Sequence, residues 1–179
     1  SVHGDDYRGH NNVGVTLMAL GRMKQAQESF DAAKALAASN GTVNTNLGAV
    51  ARQNGDTDAA ASYYGKASGG SELSYNKGVL AITQGNYGRA ISNMGSNSTA
   101  NLALAKILND DANGARTTLE NAGDDSAIAS YLLAICCARL KDAAGVKKYV
   151  SAALSKDPTL RDRAQNDLEF RNYKSSLGM

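Results

Sequence analysis

The stretch Asn12-Val13-Gly14-Val15-Thr16-Leu17 sets the register of the whole chain. Seven residues after Gly14 stands Gly21, and Ala26, Phe30 and Ala33 follow. A shift of 34 residues brings the series back as Leu47-Gly48, Gly55, Ala60, Tyr64 and Ala67. A further shift of 30 gives Lys77-Gly78, Gly85, Ala90 and Met94. Two looser copies follow. A shift of 25 puts Ala103 in the glycine slot, with Asp110, Ala115, Leu119 and Ala122, and one of 31 gives Ala134, Lys141, Val146, Val150, Ala153 and Pro158. Self-similarity at such periods marks a stack of small supersecondary units, each burying its apolar face against the next.

The chemistry of the repeated positions says what each unit is. Gly21, Gly55 and Gly85 fall between two periodic segments, where the chain must reverse and a left-handed backbone is cheap for glycine. Gly14, Gly48, Gly78, Ala103 and Ala134 sit in mid-helix, where a small residue lets a second helix cross closely. Ala26, Ala60, Ala90 and Ala115 allow the same approach from the other side. Phe30, Tyr64, Met94, Leu119 and Val150 supply the large knob at each junction. The expected helix pairs are 7–20 with 23–37, 42–54 with 57–67, 71–84 with 87–94, 98–109 with 112–122, and 127–140 with 143–155. The units span 7–40, 41–70, 71–95, 96–126 and 127–158. Segment 159–179 reads as a C-terminal capping helix and tail, with Leu160, Ala164 and Leu168 as its buried stripe and Asp167 and Glu169 facing largely outward. The 25-residue spacing and the polar run Gly95-Ser96-Asn97-Ser98-Thr99 predict a bend between the third and fourth units. Residues 1–6 read as a disordered or leftover leader, with more natural chain expected before them.

Composition agrees with close-packed helices. One proline in 179 residues leaves long helices unbroken, and the scarcity of Phe and the absence of Trp call for a core of small side chains. Net charge is +2; from Arg139 onward nine Lys or Arg face five Asp or Glu, a mild excess without interleaved aromatics, so no nucleic-acid partner is expected. No run approaches eighteen apolar residues, so direct membrane insertion is not expected either. Cys136 and Cys137 are adjacent and read as buried thiols, because a disulfide between helical neighbours is strained.

Small residue, glycine seven later, alanine five beyond, a large apolar residue four further, alanine three further and a terminal proline resemble the tetratricopeptide repeat, over about residues 7 to 158. The resemblance implies an all-α, right-handed α-solenoid of about five antiparallel helix-pair repeats plus a capping helix. It also implies a concave groove, lined by the first helices, that receives a protein or peptide ligand. Some members grip two carboxylates with lysines and an arginine at set groove positions; here those slots hold Asn11, Val15 and Tyr75, so that clamp is absent. Asp6-Tyr7-Arg8 with Asn11-Asn12-Val13-Gly14 also resembles repeat segments of bacterial cell-envelope proteins. This implies a periplasm-facing scaffold and leaves the cytoplasm open.

Catalytic signals are lacking. His3 and His10 have no ligand cluster beside them, and the pairs Asp5-Asp6, Asp110-Asp111 and Asp124-Asp125 fall where helices start, as caps do. Ser68-Gly69-Gly70-Ser71 follows a helix and lacks the lysine of a phosphate loop. No cofactor or metal is expected, and the chain reads as non-enzymatic. What remains is the groove. Two places before the small residue in the first four units stand Asn12, Asn46, Asn76 and Asn101, with Leu132 breaking the series in the fifth, an amide row able to hold a peptide backbone or to join neighbouring helices. Arg8, Arg52, Tyr75, Tyr131 and Arg139 complete the expected ligand face, since Tyr and Arg are common binding anchors. The alternative role is a structural spacer or oligomerisation segment of a longer envelope protein.

Overall fold

The computed structural model describes residues 6–178, so the readings of Ser1–Asp5, His3 among them, lie outside the described residues. The chain is an all-α stack of antiparallel helix pairs, with no strand among the described residues. Its pairs are α1 (Tyr7–Ala19) with α2 (Met23–Leu36), α3 (Gly41–Gln53) with α4 (Thr57–Lys66), and α5 (Ser71–Thr83) with α6 (Tyr87–Met94). Then come α7 (Ala100–Leu108) with α8 (Ala112–Ala122) and α9 (Ala127–Arg139) with α10 (Ala143–Lys156). Among the described residues no helix is long and apolar enough to cross a membrane.

Caps start the helices. Asp6, Asn40, Asp56, Thr99, Asp111, Ser126 and Asp142 each accept a hydrogen bond from an amide of the first turn that lacks an intrahelical partner. Asp6 therefore belongs to α1, not to a leader. The reversal between paired helices is left-handed at Gly21, Gly55 and Gly85, with φ of 72°, 83° and 72°. Asp110 and Lys141 hold the same conformation in the last two pairs, at φ 62° and 60°. The turn survives loss of the glycine because tertiary packing of both helices imposes it.

The mid-helix glycines are contact points. A Cβ on Gly14 would lie 2.6 Å from the Phe30 ring, and one on Gly78 would lie 2.5 Å from Met94 Cγ. On Gly48 it would collide with the Tyr64 ring. Each large knob thus rests on the glycine of its own pair's first helix.

The chain divides into two compact units at Met94 and Gly95, where the repeat spacing shortens. The first unit holds two core clusters, one around Phe30, Val43, Leu47 and Val50, the other around Tyr64, Leu73 and Leu80. In the second unit one cluster joins Ile107, Leu119, Leu132 and Cys136, and another joins Tyr131, Val146, Val150, Leu160 and Phe170.

The closing segment differs from the single helix expected. It runs as a 3-10 turn (Pro158–Leu160), α11 (Arg161–Asn166), a second 3-10 stretch (Leu168–Tyr173) and α12 (Lys174–Leu177). Asp167 is extended at φ −72°, ψ 125°, and its carboxylate accepts from Glu169 N, restarting the chain on a new axis. The break rotates the buried stripe: Leu160 and Ala164 stay buried, Leu168 is 82% exposed, and Phe170 takes the interior place at 0%.

Candidate functional site

In the first unit α1, α3 and α5 lie side by side, and α3 is the middle one. Val43, Leu47 and Val50 point from α3 into the core and are fully buried. Its other face carries Thr45, Asn46 and Ala49, which keep 6%, 5% and 7% of their surface. These residues lie nearly covered on the side of α3 that α1 and α5 flank, the side expected to form the floor of a ligand trench. Asn46 Nδ2 donates to Asn11 Oδ1 at 2.8 Å, a buried bond joining the first helices of neighbouring repeats. Asn46 therefore contributes to architecture. Asn12 is exposed and Asn76 half-buried, and neither side-chain amide has a hydrogen-bond partner within the chain among the described residues.

Near the start of α1, Arg8 is 73% exposed and pairs with Asp6 at 3.2 Å. Arg52 is half-buried near Tyr64; Arg52 Nε and Tyr64 Oη are both buried without a well-formed hydrogen bond. Burial raises the Tyr64 phenol, and the guanidinium offsets this only in part. Tyr75 is half-buried on α5.

In the second unit Asn101 lies half-buried on α7, while two expected ligand residues are occupied by the chain itself. Tyr131 is 3% exposed; its hydroxyl donates to Asp167 Oδ2 at 2.7 Å, and its ring meets Phe170 edge-on with centroids 5.5 Å apart. Burial, and then the hydrogen bond and charge of Asp167, hold its phenol well above the usual range. Arg139 donates to Glu169 Oε1 at 2.6 and 2.9 Å, to the Ile107 carbonyl at 2.5 Å, and to Asp110 at 3.2 Å. The repeat pattern places Tyr131 and Arg139 on the inner face, but it ends before Asp167 and Glu169, so their partners carry no periodic signal. Both carboxylates turn inward here, against the outward placement expected of them.

Cys136 and Cys137 are fully buried. Burial, and then the adjacent Cys137, push the Cys136 thiol up to about 12 from 9.0. Burial raises Cys137 as well, against the pull of Arg116. A thiol reagent at pH 8 is expected to label neither cysteine in the folded chain and both in guanidinium, read by absorbance. Because both folded values are raised, the thiols' contribution to stability is complete below about pH 9 and is lost as pH rises toward 12. Among the described residues no group of three potential metal-ligating side chains occurs.

The tetratricopeptide repeat model matches residues 13–71. No curated protein matches the chain in sequence. Among solved structures, Pseudomonas aeruginosa pilF superposes with a TM-score of 0.72 at 15% identity, covering 95% of this chain and 97% of that one. YrrB, described as a TPR protein with an unusual peptide-binding site, gives 0.62 at 15% identity, with 92% and 94% covered. A chain of the APC/C hetero-tetramer Cut9-Hcn1 gives 0.57 at 12% identity, covering 98% of this chain and 43% of that one. These likenesses are likenesses of fold. The tetratricopeptide repeat is thus matched in sequence over the first helix pairs, and the same helix-pair build continues through the later ones, so in fold the chain is similar to tetratricopeptide repeat proteins.

Proposed function

We propose that the chain is a non-enzymatic scaffold that holds an extended protein or peptide segment along the trench of its first unit. The observation that carries this reading is the pair of uncommitted amides, Asn12 and Asn76, on either side of a small-residue floor. An amide donates and accepts at once, so the two can meet both polar groups of a peptide backbone without reading its side chains. Val15, 41% exposed on α1, and the Tyr75 ring offer apolar contact beside them. Arg8 and Arg52 lie toward opposite ends of the trench and would favour a ligand carrying negative charge. The solved structure of YrrB supports peptide binding as a use of this fold. Asn46 already spends its amide on Asn11, and in the second unit Tyr131 and Arg139 are engaged by Asp167 and Glu169, so none of these three is counted in the trench.

A random dodecapeptide library displayed on phage, selected against the immobilised full chain, supplies the probe. The selected peptide is then measured by fluorescence polarisation. Asn12→Ala with Asn76→Ala is expected to weaken it about tenfold or more with little change in melting temperature, at about 0.5–1.5 kcal/mol per bond lost. Asn46→Ala is expected to cost stability of the order of 1 kcal/mol, because it strips the partner of the buried Asn11. Full affinity in the Asn12/Asn76 variant would remove the trench as the binding site.

A further inference from the structure

The second helices carry a position pair that is filled by two hydrogen-bonded polar side chains in two repeats and by Ala and Gly in another. Counting three residues before and one after the large knob gives Gln27 and Asp31 in α2, and Arg116 and Glu120 in α8. Both pairs are long side chains bonded across one turn: Gln27 Nε2 to Asp31 Oδ2 at 3.1 Å, and Arg116 Nε to Glu120 Oε1 at 3.0 Å. In α4 the same positions are Ala61 and Gly65. No side chain fills the space, and a cavity of about 230 Å³ opens between α4, α5 and α6. Its floor is Leu80 and Ala81, and Lys77, Arg89, Gln84 and Asn93 line it.

The lining is electrostatically one-sided. It contains two cations and two amides and no carboxylate. Among the described residues neither the Lys77 ammonium nor the Arg89 guanidinium has an ion pair or side-chain hydrogen bond. Elsewhere in the chain Arg8, Arg116, Arg139 and Lys156 each pair with a carboxylate. We propose that this cleft is a second docking site, which takes an acidic peptide segment by seating one Asp or Glu carboxylate between Lys77 and Arg89. Guanidinium and ammonium donors favour a carboxylate through charge-assisted hydrogen bonds, and charge complementarity sets which partner dwells there. The Gln84 and Asn93 amides donate to the same anion, and Leu80 and Ala81 receive an apolar neighbour in the peptide. The site is built from α4, α6 and the face of α5 that carries Lys77, Leu80 and Ala81, and it uses neither Asn12 nor Asn76.

The probe is the hexapeptide acetyl-Ala-Glu-Leu-Ala-Glu-Ala-amide, titrated into the isotope-labelled full chain and followed by nuclear magnetic resonance. A twin with Gln in place of each Glu, and inorganic phosphate, are titrated alongside. The acidic peptide is expected to move the Gln84 and Asn93 side-chain amide signals, and the Gln twin to leave them still. Lys77→Gln with Arg89→Gln is expected to weaken the peptide at least tenfold. Ala61→Gln with Gly65→Asp, which installs the closing pair of α2 while keeping both cations, is expected to abolish its binding. A Cβ on Gly65 meets no atom within 4 Å, so that variant folds without strain at this point. Equal response to the Gln twin overturns the proposal. So does a response to phosphate without one to the peptide, or shifts confined to residues outside this lining, such as a second cleft in the second unit where Lys147 of α10 and Arg161 of α11 face Ser151 and Leu177.

Discussion

Replacing Phe170 with alanine is expected to cost about 3–5 kcal/mol, whereas Leu168→Ala, two residues away, is expected to stay within about 0.5 kcal/mol. Phe170 is fully buried, meets the Tyr131 ring edge-on, and belongs to the cluster of Val146, Val150 and Leu160. Truncation removes a ring's worth of apolar burial and leaves a cavity that backbone held by Asp167 and Glu169 cannot collapse. Leu160, Ala164 and Phe170 of this segment pack on the apolar faces of α9 and α10, so the segment shields that cluster from water. Leu168 is 82% exposed and has little to lose. Guanidinium melts of the full chain and both variants check the contrast. Equal midpoints would mean that the closing segment is not seated on α9.

Gly48→Val is expected to destabilise by about 1–3 kcal/mol. The added atoms collide with the Tyr64 ring, which is 1% exposed and has no room to swing. Relief of the mid-helix glycine penalty, about 1 kcal/mol at most, offsets the clash only in part. The decisive measurement is coupling. Gly48→Ala with Tyr64→Leu is expected to lose less than the sum of the single changes, because the smaller knob vacates the space that the new Cβ needs. Lys24→Ala, exposed on α2, is the control and should remain within about 0.5 kcal/mol. Additive losses would place the helix crossing elsewhere than at Gly48.

The helix pairs were legible because their cause is local and repeated. A small residue in mid-helix, a turn seven residues on and a knob sixteen on are spacings that only a helical hairpin satisfies. The ten paired helices begin and end within about two residues of the spans expected from that period. The closing segment was not legible in the same way. Its i, i+4, i+8 stripe is a sound helical pattern, but Asp167 offers its carboxylate to the next amide and to the Tyr131 hydroxyl. Two hydrogen bonds and the burial of Phe170 outweigh the helical continuation that Leu168 would have made.

The candidate site divides along the same line. Sequence alone placed Asn12, Asn46, Asn76 and Asn101 in one register, since a period carries position without regard to use. Which amides are spent on the fold was a tertiary outcome. Asn46 meets Asn11 only because α1 and α3 come together, and Tyr131 and Arg139 are engaged only because a non-repeating tail returns to them. The cleft of Lys77 and Arg89 was likewise invisible, for it consists of side chains missing at Ala61 and Gly65 and cations supplied by α5 and α6. Sequence by itself therefore determined the hairpins, their order and the close helix crossings, all set by neighbours within about thirty residues. Tertiary structure alone decided which polar groups are satisfied and which stay open, because a hydrogen bond or a cavity exists only once separate elements share the same space.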